Sequence, residues 1–137
     1  MCILWNIIFH HWNLCILGWQ LGGRGENCNA VCNRKGLICT EQDQFQHNSE
    51  VDSCDELKDL IDDINHADHD DGPISDYDLE LKKCDPDYGS SPDAPNCSDD
   101  HCYVSSSSRT VTSFNCAEEP LPLSDNKRRL CYCNIEL

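Results

Sequence analysis

The chain has 137 residues and a net charge of −15, with 25 acidic residues against 10 Lys and Arg. This length allows one domain, and the negative charge argues against binding to nucleic acid or to an anionic membrane surface, because both would repel it. Aromatic residues make up only 7% of the chain and there is a single Met. The apolar core must therefore be small, and something besides burial must stabilise the fold.

Cysteine is the residue type that can supply this stability. Ten of the twelve cysteines lie between Cys28 and Cys133, and an even number in a small domain is typical of a disulfide framework, which persists only in oxidising compartments. Zinc is the alternative, because closely spaced thiolates also bind it. However, a paired Cys-x2-Cys knuckle is missing and no His follows at the usual finger spacing. We therefore predict five disulfides among ten cysteines: Cys28, Cys32, Cys39, Cys54, Cys84, Cys97, Cys102, Cys116, Cys131 and Cys133.

The first 22 residues differ in composition from everything after them. Residues 1–19 are mostly apolar and contain no Asp, Glu, Lys or Arg. A secretory signal or a membrane anchor would explain this composition, although no basic residue precedes the apolar run. We divide the chain into residues 1–22 and residues 23–137. The first part is a targeting or anchor segment, or a misassigned beginning, and would be the only membrane contact. The second is the cysteine-rich domain.

Two short helices are predicted in the cysteine-rich domain. The first lies between residues 26 and 40, where Cys28, Val31 and Cys32 share one face and Gly36 is placed to end the helix in a left-handed turn. The second covers residues 53–65, because Ser53 and Glu56 form a capping box before an amphipathic pattern. Its apolar stripe consists of Leu57, Leu60, Ile61 and Ile64.

The remaining segments are predicted to be loops and short strands. Residues 66–100 are rich in Asp, Ser, Pro and Gly, which is typical of a long acidic loop. Short extended pieces are expected at 102–104, 111–116 and 130–133, with the tetraserine 105–108 as a turn or flexible connection. The predicted fold class is therefore a small disulfide-rich α+β domain with two short helices, a few short strands and a long acidic loop.

Candidate metal sites are weak. The acidic stretch 68–80 has the composition of a calcium-binding loop, but placing Gly72 at the sixth position makes Ala67 the first ligand. A solvated acidic loop is favoured instead. His66, His69 and His101 follow no spacing rule for metal ligands. We therefore predict no metal site.

No catalytic or cofactor-binding residue is predicted either. The sequence has neither a Gly-rich phosphate loop after a strand nor a recognisable nucleophile elbow, and cysteines held in disulfides are not nucleophiles. We therefore expect no cofactor. The one candidate modification site is a weak N-glycosylation sequon at Asn96, in Asn96-Cys97-Ser98.

The cysteine clusters and their neighbours resemble a segment of a known enzyme family. They read Cys28-Asn-Ala-Val-Cys32-Asn-Arg-Lys-Gly-Leu-Ile-Cys39, then Phe114-Asn-Cys116-Ala117, then Arg128-Arg129-Leu130-Cys131-Tyr132-Cys133. This pattern resembles the cysteine-rich end of the lumenal part of alpha-1,6-mannosylglycoprotein 6-beta-N-acetylglucosaminyltransferases, the N-acetylglucosaminyltransferase V family. The resemblance covers about residues 27–134 and is loose over residues 55–100. The family implies a Golgi type II membrane protein that transfers GlcNAc from UDP-GlcNAc to N-glycans.

The resemblance implies a module rather than a complete enzyme. In that family the nucleotide-sugar and acceptor sites lie in a large α/β catalytic region that has no counterpart here. No catalytic residue is therefore carried over, and no enzymatic activity is expected of this chain alone. The first functional hypothesis is a non-catalytic cysteine-rich module of such a glycosyltransferase, as a fragment or a detached relative. The alternative is a secreted module that binds a glycan or a protein.

The cysteines and the resemblance together indicate a location and a class of partner. A glycan or a glycoprotein is the expected partner, with no nucleic acid. The expected location is the secretory pathway, in the Golgi lumen or outside the cell. A secreted structural domain without a ligand is also compatible with the sequence.

The resemblance also implies part of the disulfide pairing. Eight of the ten cysteines have counterparts in the family segment, whereas Cys84 and Cys97 do not, so these two are expected to pair with each other. Cys131 and Cys133 are alternate residues of a predicted strand and are expected to bond to separate partners. Those partners would lie in the cluster 28–39 or be Cys116.

Overall fold

A computed structural model describes residues 17–68, 81–86, 89–99, 101–120 and 126–136. Within these ranges the chain forms three α-helices and one five-stranded sheet, which confirms the predicted disulfide-rich α+β class. The helices are α1 (Cys28–Asn33), α2 (Glu41–Gln46) and α3 (Cys54–Asp68). The strands are β1 (Gly18–Arg24), β2 (Lys83–Asp85), β3 (Asn96–Cys97), β4 (His101–Tyr103) and β5 (Arg128–Cys133). Short 3-10 turns occur at Asn48–Glu50 and Val111–Ser113.

The sheet has the strand order β1-β5-β3-β4-β2. Strands β1 and β5 are antiparallel, with Trp19 opposite Tyr132, while β2 runs parallel to β4. Strand β1 crosses the boundary predicted between residues 22 and 23, so residues 18–22 are part of the sheet. Residues 1–16 of the predicted targeting segment lie outside the described residues. None of the described helices has the length and apolar character needed to span a bilayer.

The sheet separates two apolar clusters, because successive side chains of β5 point to opposite faces. On one face, Cys131 and Cys133 pack with α1 in a cluster of Cys28, Val31, Cys32, Leu37 and Cys116. On the other face, Leu130 packs with α3 in a cluster that includes Trp19, Val51, Leu57, Ile61 and Val104. Gly22 allows α1 to approach β1 closely, since a Cβ there would lie 2.7 Å from Cγ2 of Val31. The core is small and lies on both sides of the sheet.

The two predicted helices are present and use local signals in the sequence. Asn27 caps α1 by accepting a hydrogen bond from the backbone N–H of Ala30, and Gly36 follows with φ of +71°. At the start of α3, the Ser53 hydroxyl accepts a hydrogen bond of 3.2 Å from the backbone N–H of Glu56. Both helix predictions are confirmed, and α3 extends three residues beyond the predicted end, to Asp68.

Other segments differ from the predictions. Helix α2 was not predicted, and the segment predicted to be extended at 111–116 begins with a 3-10 turn. Strands β2 and β3 lie within the stretch predicted to be a loop, and residues 69–80 of that acidic stretch lie outside the described residues. The extended pieces near 102 and 130–133 are confirmed as β4 and β5.

Candidate functional site

All ten cysteines predicted to be bonded lie in five disulfides. The pairs are Cys28–Cys131, Cys32–Cys133, Cys39–Cys116, Cys54–Cys84 and Cys97–Cys102. Cys131 and Cys133 therefore bond to separate partners in the cluster 28–39, as predicted. These ten sulfur atoms are not available as nucleophiles or as thiolate metal ligands.

The predicted pairing of Cys84 with Cys97 is wrong. Cys97 lies directly opposite Cys102 across the antiparallel pair β3–β4, with their Cα atoms 4.0 Å apart, and these two bond to each other. Cys84, in β2, bonds to Cys54 at the first turn of α3. The register of β3 against β4 therefore sets the Cys97–Cys102 pair, and the shared lack of family counterparts for Cys84 and Cys97 was a misleading guide.

The structure is incompatible with glycosylation at Asn96 in the folded domain. The Asn96 side chain is 0% exposed, and its Nδ2 atom donates a hydrogen bond of 3.1 Å to Oδ2 of Asp93. N-glycans attach at Nδ2, so a glycan here would have to break this bond and leave the protein through packed neighbours. The sequence motif is present, but the fold buries it.

The histidines considered as metal ligands do not converge within the described residues. His101 lies at the start of β4, where its ring stacks on Tyr103 with 4.5 Å between ring centroids. The side chain of His66, and all of His69, fall outside the described part of the structure. Among the residues that are described, no group of three or more His, Cys, Asp or Glu is arranged to hold a metal ion.

Two buried arginines form a cluster that the sequence analysis missed. Arg129 in β5 is 0% exposed, and its Nη1 atom donates hydrogen bonds to the backbone oxygens of Asn115 (2.7 Å) and Glu118 (2.8 Å). Its Nη2 atom donates to the backbone oxygen of Pro92 at 3.2 Å. Burial lowers the pKa of Arg129 to about 10, and the charge of Asp93 opposes this shift. Arg129 therefore remains cationic at physiological pH.

Arg109 is the second member of the cluster. Its Nη1 atom donates to the backbone oxygen of Ala94 and to the hydroxyl of Ser105, both at 2.8 Å, and its guanidinium lies 3.7 Å from the ring centroid of Phe114. Burial, followed by the like charge of Arg129, lowers the pKa of Arg109 to about 10. Since both guanidinium groups bond to backbone oxygens of packed loops, the cluster holds those loops together and does not offer its charge to a ligand.

Tyr132 is the centre of a more exposed group on the α3 face of the sheet. Its ring stacks on His47 with centroids 3.7 Å apart and planes 10° from parallel. The rings of Trp19 and Tyr132 pack edge to face, with their centroids 5.6 Å apart. Nδ1 of His47 contacts the carboxylate of Glu50. Three side chains therefore form one continuous contact: Tyr132 from β5, His47 from the position after α2, and Glu50 from the 3-10 turn.

The electrostatic environment of this group is negative. Burial, followed by the charges of Glu50 and Asp43, raises the pKa of the Tyr132 phenol above its ordinary value. Between residues 41 and 63 the sequence has nine acidic residues and one basic residue, Lys58. We refer to Asp43, His47, Glu50 and Tyr132 as the aromatic–acidic surface. Planar rings next to carboxylates can stack on a planar ligand and can attract a cation.

Sequence reasoning alone did not identify this surface. Tyr132 appears in the sequence only as the residue between two cysteines, and His47 has no recognisable motif around it. The nearest sequence signal was the excess of acidic residues after residue 40. It indicated a solvated face but not the aromatic pair.

No model of a known protein family matches the chain, and no curated protein matches it. The resemblance to the N-acetylglucosaminyltransferase V segment therefore remains a hypothesis that depends on the cysteine clusters and their neighbours.

Proposed function

We propose that this chain is a non-catalytic, disulfide-stabilised binding module of the secretory pathway, and that it binds through the aromatic–acidic surface. The observation that carries this proposal is the position of Tyr132. The residues on either side of it, Cys131 and Cys133, are bonded to Cys28 and Cys32 of α1. The tyrosine is thereby presented on a backbone cross-linked through the opposite face of the sheet.

Rigid presentation of this kind favours binding. A side chain that is already fixed in place loses little conformational entropy when a ligand binds, so more of the contact energy appears as affinity. His47 is fixed in a similar way, by its stacking on Tyr132 and its contact with Glu50. The surface therefore has the pre-organisation that a recognition site needs.

The disulfides support the proposed location. Five bridges form and persist in an oxidising environment, which means the secretory pathway or the extracellular space. Within that range, the Golgi lumen is a proposal supported by the resemblance to a Golgi enzyme family.

Two settings for such a module are proposed. In the first, the module accompanies an N-glycan-branching glycosyltransferase, and a glycan or glycoprotein is its ligand. This setting is supported by Cys28–Cys131 and Cys32–Cys133, which join the two ends where the resemblance is most specific. In the second, the module is secreted and binds its ligand independently. This setting is supported by the rigid, partly exposed ring pair, which needs no further domain to be assembled.

A binding screen combined with a transfer assay tests the proposal. The full chain, secreted in oxidised form from cultured cells, would be applied to immobilised N-glycans and to a panel of secreted proteins. We expect at least one ligand whose binding is lost when the bridges are reduced, and no transfer of GlcNAc from UDP-GlcNAc to a biantennary acceptor. Turnover above a control without protein would contradict the non-catalytic assignment. The absence of any ligand in both panels would contradict the binding function.

A further inference from the structure

We infer that the aromatic–acidic surface binds a positively charged, Arg- or Lys-rich segment of a partner protein. This inference rests on the proposed binding function and deepens it by naming the class of ligand. It starts from two properties that the surface combines, namely partly exposed aromatic rings and neighbouring carboxylates.

The rings provide the first property. Tyr132 is half-buried, and the side chain of His47 remains 34% exposed although the two rings stack on each other. Guanidinium groups are planar and weakly hydrated, so they stack on aromatic rings more readily than other charged groups do. Each ring covers one face of the other, so a partner's arginine would stack on the part of the pair that stays exposed.

The carboxylates provide the second property. Glu50 retains 51% side-chain exposure even though it contacts His47, and its charge reaches Tyr132 together with that of Asp43. Helix α3, which follows Glu50 in the chain, carries further exposed acidic residues that include Asp55, Glu56 and Asp59. A cationic segment would be attracted over a long range and would pair with these groups on arrival.

Several basic residues of the described chain are engaged elsewhere and do not neutralise this surface. Arg24 pairs with Asp99 and Arg34 pairs with Glu26, both at 3.1 Å. Nζ of Lys35 donates a hydrogen bond of 2.8 Å to Gln20. None of these three contacts involves Asp43 or Glu50.

The same charge distribution predicts weaker binding for the other classes of ligand. A sialylated, sulfated or phosphorylated glycan would be repelled by Asp43 and Glu50, and by the net charge of −15. A neutral glycan would stack on the rings but would gain nothing from the carboxylates. A basic protein segment uses both properties of the surface, so the observations favour it.

Fluorescence anisotropy with a labelled Arg-rich peptide tests the inference. The comparison peptide has every Arg replaced by Gln, and the proteins are the unmodified chain, Glu50→Gln, His47→Ala and Asp99→Asn. The last variant removes the same charge as Glu50→Gln, but Asp99 lies beyond β3, whose Cys97 pairs with Arg128 at the far end of β5 from Tyr132. Non-reducing mass mapping and circular dichroism establish that each variant is folded.

We expect the Arg-rich peptide to bind and the Gln peptide to bind much less. Glu50→Gln should weaken binding by roughly 5–10-fold and His47→Ala by roughly 3-fold, as for a close charge pair and a ring contact. Asp99→Asn should change affinity by less than about 2-fold, since exposed pairs far from a site contribute little. Binding should also weaken as ionic strength rises.

Several results would overturn the inference. If Asp99→Asn weakened binding as much as Glu50→Gln, the attraction would come from overall charge and not from this surface. If the Gln peptide bound equally well, the carboxylates would not be used. If His47→Ala reduced the binding of a neutral glycan while the basic peptide failed to bind, the inference would be wrong but the binding function would stand. If no glycan, protein or peptide bound the folded chain, both proposals would fail.

Discussion

Cys54, the first residue of α3, is bonded to Cys84, the middle residue of β2. Strand β2 is three residues long, lies at the edge of the sheet and pairs only with β4 among the described strands. So short an edge strand has few hydrogen bonds to hold it. The bridge to α3 fixes it from the side and closes a loop with a sequence separation of 30.

Removing this bridge should destabilise the domain substantially. In the chain-entropy model, closing a loop of this length stabilises the fold by about 3–4 kcal/mol, because the cross-link restricts the unfolded chain. The double variant Cys54→Ala/Cys84→Ala should lower the free energy of unfolding by about that amount in urea titrations. A non-reducing peptide map of the unmodified chain is the control. It should contain linked peptides for Cys54–Cys84 and Cys97–Cys102, and a Cys84–Cys97 peptide would show that the structural pairing is wrong.

The sequence predicted the elements that carry local signals. Helices α1 and α3 have an N-cap, an apolar face and, for α1, Gly36 as a stop, and these signals depend only on residues within a few positions. Helix α2 also has an N-cap, Thr40, but it has no apolar stripe, because Gln44 is its buried residue. Its position depends on the neighbouring bridge Cys39–Cys116, a contact between distant parts of the chain.

The disulfide pairing and the candidate site depend on such distant contacts. The Cys97–Cys102 bond follows from the register of two strands of two and three residues, too short to show alternation in the sequence. Arg109 and Arg129 donate hydrogen bonds largely to backbone oxygens. Every residue has a backbone oxygen, so the residue types in the sequence do not show which positions accept these bonds. The stacking of His47 on Tyr132 likewise requires α2 to be placed against β5.

The buried face of α3 should be sensitive to charge, whereas its outer face should not. Leu57 is 0% exposed in the core cluster, so Leu57→Asp would bury a carboxylate without a partner and should prevent folding and secretion. Asp59 is exposed, and Asp59→Lys should change the free energy of unfolding by less than about 0.5 kcal/mol. Secretion yield and thermal unfolding measure both effects. Similar behaviour of the two variants would mean that the orientation assigned to α3 is incorrect.

Arg129 should not be replaceable by lysine. A lysine keeps the charge but has a single ammonium nitrogen. It cannot replace both Nη1, which donates to the backbone oxygens of Asn115 and Glu118, and Nη2, which donates to that of Pro92. Arg129→Lys should therefore lower the free energy of unfolding by about 2–3 kcal/mol, as expected when buried hydrogen bonds to a charged group are lost. Arg34→Lys is the matched control, because Arg34 makes an exposed pair with Glu26. Equal stability of both variants in urea would contradict a structural role for the buried guanidinium.

The phenol of Tyr132 should titrate above the ordinary tyrosine pKa of 10.0, and Glu50→Gln should bring it closer to that value. Burial and the charges of Glu50 and Asp43 all disfavour the phenolate, so removing one charge makes ionisation easier. NMR of ring-labelled tyrosine resolves the chain's four tyrosines, with Tyr132→Phe for assignment and Asp99→Asn as the charge-matched control.

The consequence for stability has a definite sign. Since the pKa of Tyr132 is higher in the folded state than in the unfolded state, the folded chain holds its proton over a pH window that begins near 10.0. The unfolded chain ionises first in that window, so the free energy of unfolding should fall as the pH rises from about 10 through the folded pKa. This fall should be smaller in Glu50→Gln than in Asp99→Asn, because Glu50 is one of the causes of the raised pKa of Tyr132 and Asp99 is not. An unchanged Tyr132 midpoint in Glu50→Gln would show that the carboxylate does not act on the ring, and the aromatic–acidic surface would lose its electrostatic basis.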